Sequence, residues 1–148
     1  MKGNNTLTII KPNAVENDIV GPILCMINDA GFYLAAIKTL KLTFDQAEAF
    51  YAVHKGKPFY EGLIKFMTSG PVVVAILEKE NAVEAYRELM GPTDPSEAKE
   101  GTIRHRFGES IQKNAVHGSD SDENAMLEIG FFFSKHERFS KYHPITLE

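Results

Sequence analysis

Gly70-Pro71-Val72-Val73-Val74-Ala75-Ile76-Leu77 decides how the rest of the chain is read. A strand with one wet face alternates apolar and polar residues, whereas the positions from Val72 to Leu77 are all apolar. The segment therefore reads as a central strand, entered through a Gly-Pro turn.

Toward the N-terminus, Pro58 to Phe66 carries a short helical pattern, and Thr43 or Asp45 caps another helix running through Tyr51. Phe32 to Leu42 mixes alternation with β-branched and aromatic residues and reads as a long second strand. Val20, Ile23, Leu24 and Ile27 form a helical stripe over Val20 to Ala30, with Pro22 in the first turn and Gly31 as the stop. The first strand, Thr6-Leu7-Thr8-Ile9-Ile10, ends at Lys11-Pro12 because proline cannot continue the ladder, which leaves Lys11 at a strand mouth. Toward the C-terminus, Asn81 caps a helix to Met90. Gly91-Pro92-Thr93-Asp94-Pro95-Ser96 then opens a loop to about Gly101, long enough to suggest function. Ile103 to Gln112 is partly helical, Ala115-Val116 is a brief strand, and Ser121 starts a last helix through Phe133.

Long helical connections between strands predict an α+β fold: a ferredoxin-like, four-stranded antiparallel sheet with helices packed on it, on one face. No repeat, low-complexity tract or linker divides the chain, so residues 1–148 read as one domain with a divergent tail from about residue 134. With 43% hydrophobic residues and ten phenylalanines, such a chain can bury a real core. Sixteen Lys and Arg against twenty Asp and Glu give a net charge of −4, which argues against a general nucleic-acid binder. A pocket for a small anion needs only a few convergent cations and is compatible with that balance. The single cysteine, Cys25, excludes an internal disulfide and a thiolate metal cluster, and its apolar neighbours predict burial. The start Met1-Lys2-Gly3-Asn4-Asn5 is polar and no apolar run nears the roughly 18 residues of a membrane span, so a cytoplasmic location without membrane contact is expected.

The chemistry centres on Asn114-Ala115-Val116-His117-Gly118-Ser119-Asp120-Ser121, where one histidine stands among small and polar neighbours. A neutral imidazole can attack a terminal phosphoryl group without first losing a proton, which makes His117 the candidate nucleophile. Gly118 is expected to let a large substrate come close. The chain has no Gly-rich Walker loop and no GxGxxG after a strand, so a nucleotide has to be held by side chains. Lys11, Arg87, Thr93 and Arg104 are the candidates.

Five segments, in order, carry a resemblance: Ile10-Lys11-Pro12-Asn13-Ala14-Val15, His54-Lys55-Gly56-Lys57-Pro58-Phe59-Tyr60, Met67-Thr68-Ser69-Gly70-Pro71-Val72, Gly101-Thr102-Ile103-Arg104, and the histidine segment from Asn114 to Ser121. Over nearly its whole length the chain resembles the nucleoside diphosphate kinases. The resemblance implies ping-pong transfer of a γ-phosphoryl group from a nucleoside triphosphate to a nucleoside diphosphate through a phosphohistidine on His117, which maintains triphosphate pools. It implies attack by Nδ1, with Glu128 on the other ring nitrogen and Ser119 supporting that glutamate. Lys11 and Asn114 match ribose contacts, and Tyr51 lies beside Lys11 and the histidine. His54, Arg87, Thr93 and Arg104 match phosphate contacts, and Phe59, Leu63 and Ile111 match the slot for the base. Mg²⁺ would bridge phosphate oxygens, with Asp120 reaching it through water. Stacking on a π face predicts broad base tolerance, and the resemblance extends this to ribose and 2′-deoxyribose. It also implies a homo-oligomer, a tetramer or hexamer built from dimers.

His105-Arg106 after Arg104, and Glu100 before Gly101, depart from the family pattern and put the rigidity of that loop in question. Leu147-Glu148 is read as a possible vector remnant. Two rival readings exist: a phosphate-carrier module in which Phe59 and Arg104 form a docking surface, and an RNA-binding module, which the negative charge disfavours.

Overall fold

The computed structural model describes residues 3–142, so Leu147-Glu148 lies outside the described residues. Strands β1 (Asn5–Ile10), β2 (Tyr33–Leu40), β3 (Val72–Glu78) and β4 (Val116–Gly118) form one sheet in the order β2-β3-β1-β4, every pairing antiparallel. The helices are α1 (Pro12–Glu16), α2 (Val20–Asp29), α3 (Phe44–Phe50), α4 (Tyr60–Met67), α5 (Ala82–Met90), α6 (Ile103–Phe107) and α7 (Asp122–Phe132). This is the α+β, ferredoxin-like arrangement expected from the element order.

Every residue of β3 is buried, and the strand divides its side chains between two cores. Val72, Val74 and Ile76 meet Ile64 and Met67 of α4 and Ile129 and Phe132 of α7. Val73, Ala75 and Leu77 meet Ile23 and Ile27 of α2 and Tyr86 and Met90 of α5. Helices therefore cover both faces of the sheet, not the one face expected from the connections. The unbroken apolar run requires this, since each fully buried valine or isoleucine contributes about 1.5–3 kcal/mol that a wet face would forfeit.

Thr43 caps α3 through a capping box, its side chain taking the Gln46 N–H while Gln46 returns a bond to the Thr43 N–H. Asn81 precedes α5 as expected, but in a left-handed conformation, and its side chain bonds Glu84 without capping the helix. Proline at position 12 does more than stop β1: it opens the short helix α1, which sequence reading missed, because a first-turn residue needs no N–H donor. Cys25 is exposed, contrary to expectation, with Sγ 3.6 Å from Asp29 Oδ2. On α2 the buried stripe runs through Ile23 and Ile27, and residue 25 falls on the opposite side of the helix.

Candidate active site

β4 is a three-residue edge strand, and its register against β1 sets His117 opposite Ile9. The imidazole lies between α3 and α7, with Phe50 edge-on at 5.4 Å between ring centroids and Tyr51 at 6.4 Å. Glu128, two turns into α7, brings Oε1 to 2.7 Å from His117 Nε2. Ser119 donates to the same oxygen at 2.9 Å, and its own oxygen accepts the Leu7 N–H at 3.2 Å. An ionised carboxylate only accepts, so Nε2 carries the proton and Nδ1 presents a lone pair. Among the described residues no hydrogen bond to Nδ1 is made.

The approach to the histidine is bent. Ala115 has φ 75°, a left-handed conformation disfavoured for a residue with a Cβ, and its carbonyl accepts the Lys11 N–H at 2.8 Å. This turn brings Asn114 back over Lys11. Lys11 Nζ donates to Asn114 Oδ1 at 2.7 Å, and Asn114 Nδ2 donates to the Thr93 carbonyl at 3.0 Å, tying β1 to the long loop. Lys11 is 8% exposed; burial first, and the charge of Arg104 second, pull its ammonium down to about 7.

Arg104 braces the same region from α6. Nη1 donates to the Gly91 carbonyl at 3.0 Å and Nη2 to the Val116 carbonyl at 2.8 Å, while Nε is buried without a partner among the described residues. Two of its five N–H bonds are thus committed to the backbone. The Tyr51 ring is buried and its hydroxyl is unpartnered among the described residues. Burial, aided by the Glu128 charge, raises the hydroxyl's pKa and keeps it protonated. His54 stacks on Tyr51 at 6.3 Å, meets Phe59 at 5.3 Å and sits 3.5 Å from Lys57 Nζ. Partial burial and then Lys57 lower its pKa.

These groups line a cavity of about 1240 Å³. Of the residues expected at the site, Lys11, Tyr51, His54, Phe59, Leu63, Arg87, Thr93, Arg104, Ile111, Asn114, His117, Asp120 and Glu128 all face it, and Ser119 is buried behind Glu128. Phe59 and Ile111 stand half or more exposed, as walls of an open slot.

A Cβ on Gly118 would lie 2.5 Å from Met90 Cε and 2.9 Å from Tyr86 Cδ2, so helix α5 also comes close at this cavity-lining residue. The departure at His105 leaves the loop tied, since its Nδ1 lies 3.0 Å from the Ala98 carbonyl and its N–H bonds Thr102 Oγ1. Phe50 and Thr8 were missed. Phe50 packs edge-on against the His117 ring, and Thr8 donates to the His117 carbonyl at 2.9 Å. The alternation of Thr6 and Thr8 on β1 suggests a wet face, yet both are fully buried.

Among the described residues no helix is long and apolar enough to cross a membrane, and no cluster of three or more His, Cys, Asp or Glu could hold a metal. The family model for nucleoside diphosphate kinase matches residues 4–138. The chain is 57% identical over 132 residues to the nucleoside diphosphate kinase of Chlamydia felis, covering 89% of this chain and 94% of that one. With the Lawsonia intracellularis enzyme of the same name it shares 52% over 134 residues, 90% of this chain and 97% of the other. The crystal structure of the Aquifex aeolicus nucleoside diphosphate kinase superposes with a TM-score of 0.89 at 45% identity, covering 91% of this chain and 98% of that one. The halophilic nucleoside diphosphate kinase from Halobacterium salinarum, solved in complex with CDP, gives 0.89 at 33% identity, over 93% of each chain. With fold and sequence in agreement over this length, the chain belongs to the nucleoside diphosphate kinase family.

Proposed function

We propose that this chain moves the γ-phosphoryl group of a nucleoside triphosphate onto His117 and from there onto a nucleoside diphosphate, one site serving both half-reactions. The carrying observation is the 2.7 Å bond from Nε2 to Glu128, which leaves Nδ1 as the ring nitrogen able to attack. The Nδ1 lone pair forms the N–P bond as the bond from γ-phosphorus to the β–γ bridging oxygen breaks, and the electron pair leaves with the diphosphate. Nε2 keeps its proton, and the Glu128 carboxylate stabilises the cationic ring. Return transfer reverses the same step onto the terminal oxygen of the second diphosphate.

Arg87, Arg104, His54 and Thr93 hold the phosphates, with the arginines matching the charge spread over the equatorial oxygens. Lys11 and Asn114 hold the ribose hydroxyls, and Tyr51 packs beside them. Phe59, Leu63 and Ile111 take the base by its faces, which supports broad base tolerance and acceptance of 2′-deoxyribose. The donor set fits Mg²⁺ held chiefly by substrate. Asp120 contributes a carboxylate whose Oδ1 takes the Asn124 amide at 2.6 Å, and the phosphates supply the remaining hard oxygens. When bound, the ion neutralises charge on the β- and γ-oxygens. The crystallised relative with CDP supports a nucleotide in this cavity. The proposal extends to a cytoplasmic homo-oligomer built from dimers, acting as a single domain that maintains triphosphate pools.

The test uses the purified chain alone. With ATP and GDP it should form GTP, and with labelled ATP it should retain label that acid releases and base does not, as a phosphoramidate requires. His117→Ala should lose both. Failure of the wild type to form GTP, or acid-stable label, overturns the reading.

A further inference from the structure

Tyr86 is the largest fully buried side chain and takes no part in the chemistry above. Its hydroxyl lies 2.7 Å from Thr8 Oγ1, and Thr8 Oγ1 donates at 2.9 Å to the carbonyl oxygen of His117. Because the threonine's proton goes to that carbonyl, the tyrosine is the donor in the first bond. The chain runs Tyr86 O–H to Thr8 O–H to His117 C=O, each bond polarising the next. Burial raises the Tyr86 pKa, so the donated proton stays in place at every working pH.

The same helix touches the next residue. Tyr86 and Met90, one turn apart on α5, pack against the backbone of Gly118 so closely that a Cβ there would overlap both. Between them, at position 87, α5 carries the arginine that lines the cavity. Beyond Met90, the Gly91 carbonyl accepts Arg104, which also bonds Val116. The helix bearing a phosphate-site cation is therefore fixed to the nucleophile's own backbone at three consecutive residues of β4: through Arg104 at Val116, through Thr8 at His117, and by packing at Gly118.

We propose that Tyr86 and Thr8 are positioning residues for phosphoryl transfer: their hydroxyl relay sets the His117 backbone at a fixed distance from α5, and so sets the nucleophile against Arg87. The proposal rests on His117 as the phosphoryl acceptor. A shift well under an ångström between an attacking nitrogen and the group that holds the phosphate alters the reactive alignment more than the binding of the ground state.

The experiment compares Tyr86→Phe, Thr8→Val, the double variant and Thr8→Ser. Each is followed by single-turnover phosphorylation of His117 with saturating ATP, by ADP affinity, by thermal unfolding, and by the ¹³C shift of the His117 carbonyl. Tyr86→Phe and Thr8→Val should each slow transfer by about 3- to 10-fold with ADP affinity within about twofold of wild type. The double variant should be no slower than the slower single one, and Thr8→Ser, which keeps the hydroxyl, should transfer at the wild-type rate. The His117 carbonyl resonance should move in Tyr86→Phe, as the threonine loses its donor and binds the carbonyl less strongly. Lowered melting temperatures with wild-type transfer rates would make the pair ordinary core packing and overturn the proposal, as would additive effects in the double variant. A wild type that accepts no phosphoryl group from ATP would defeat the phosphotransferase reading. An unmoved carbonyl resonance in Tyr86→Phe would defeat the relay independently of any activity.

Discussion

Nucleotide binding should draw a proton onto Lys11, and the size of that uptake follows from its surroundings. Burial, then the neighbouring Arg104 charge, holds the ammonium at about 7. At pH 8 a group titrating there is protonated in about one molecule in eleven. Phosphate oxygens brought into the cavity favour the charged form and return it toward the ordinary lysine value near 10.4. Binding at pH 8 then takes up about 0.9 proton per nucleotide, and full return of the ordinary value weakens Kd about 50-fold between pH 7 and pH 9 but only about twofold between pH 6 and pH 7. Other groups contribute little at pH 8. His54 has its pKa lowered by partial burial and by Lys57 and stays neutral, Arg104 stays charged, and the phosphates are past their last ionisation near pH 6. Titration calorimetry of ADP into the wild type at pH 8, in two buffers of different ionisation enthalpy, reads the uptake directly. An uptake below about 0.2 proton, or the same uptake in Lys11→Met, refutes the argument. The sign for stability follows from the same pKa. Above about 7 the folded chain sheds a proton that the unfolded chain keeps to about 10.4, so Lys11 makes stability rise with pH across that window. Lys11→Met should remove this rise from the melting curves.

Three further outcomes are expected. Glu128→Gln weakens the hold on Nε2 and the stabilisation of the cationic ring, and should slow transfer by roughly 10- to 1000-fold with little change in nucleotide affinity; wild-type turnover would reduce Glu128 to a structural carboxylate. Gly118→Ala should cost about 1–3 kcal/mol in urea unfolding, because its Cβ must displace the Tyr86 ring and Met90; an unchanged midpoint would show that α5 does not rest there. In rapid-mixing phosphorylation of His117, 2′-dATP should match ATP, while 3′-dATP loses roughly 2.7–4 kcal/mol of barrier reduction, the range for one donor to a developing oxyanion. Equal rates for all three would remove the 3′-hydroxyl from the chemistry.

Much of this molecule is legible without coordinates, for reasons that differ by residue. The β3 run reveals itself because burial on both faces suppresses alternation, and the same run already contradicts a sheet covered on one side. His117 is legible from its small and polar neighbours, whereas Glu128 and Ser119 are legible only through the resemblance, and the capped helix α7 does bring position 128 back to the imidazole. Cys25 was misread because local composition was weighed above period: on α2, residues 23 and 27 are buried and residue 25 points away. Thr8 and Tyr86 could not be read from spacing at all. Seventy-eight positions separate them, and a threonine on a strand looks the same whether it meets water or a buried tyrosine hydroxyl.

The cations that line the cavity also serve the fold, and the brevity of β4 explains why. An edge strand of three residues has a ladder on one side only, too short to fix its own register firmly. Its carbonyls and that of the residue before it are held by further bonds: Ala115 by the Lys11 N–H, Val116 by Arg104 and His117 by Thr8. Each such bond contributes about 0.5–1.5 kcal/mol net, and somewhat more from a guanidinium. Together they offset the left-handed cost at Ala115, which is of order 1–3 kcal/mol. Two of the three residues that hold this segment, Lys11 and Arg104, are thus also cations that line the cavity. Buried guanidinium and ammonium groups are expensive on their own, and Arg104 and Lys11 are tolerated here because backbone carbonyls and the Asn114 amide satisfy them. Both residues line the cavity, so the groups that hold this edge strand in place also border the space an anion would enter.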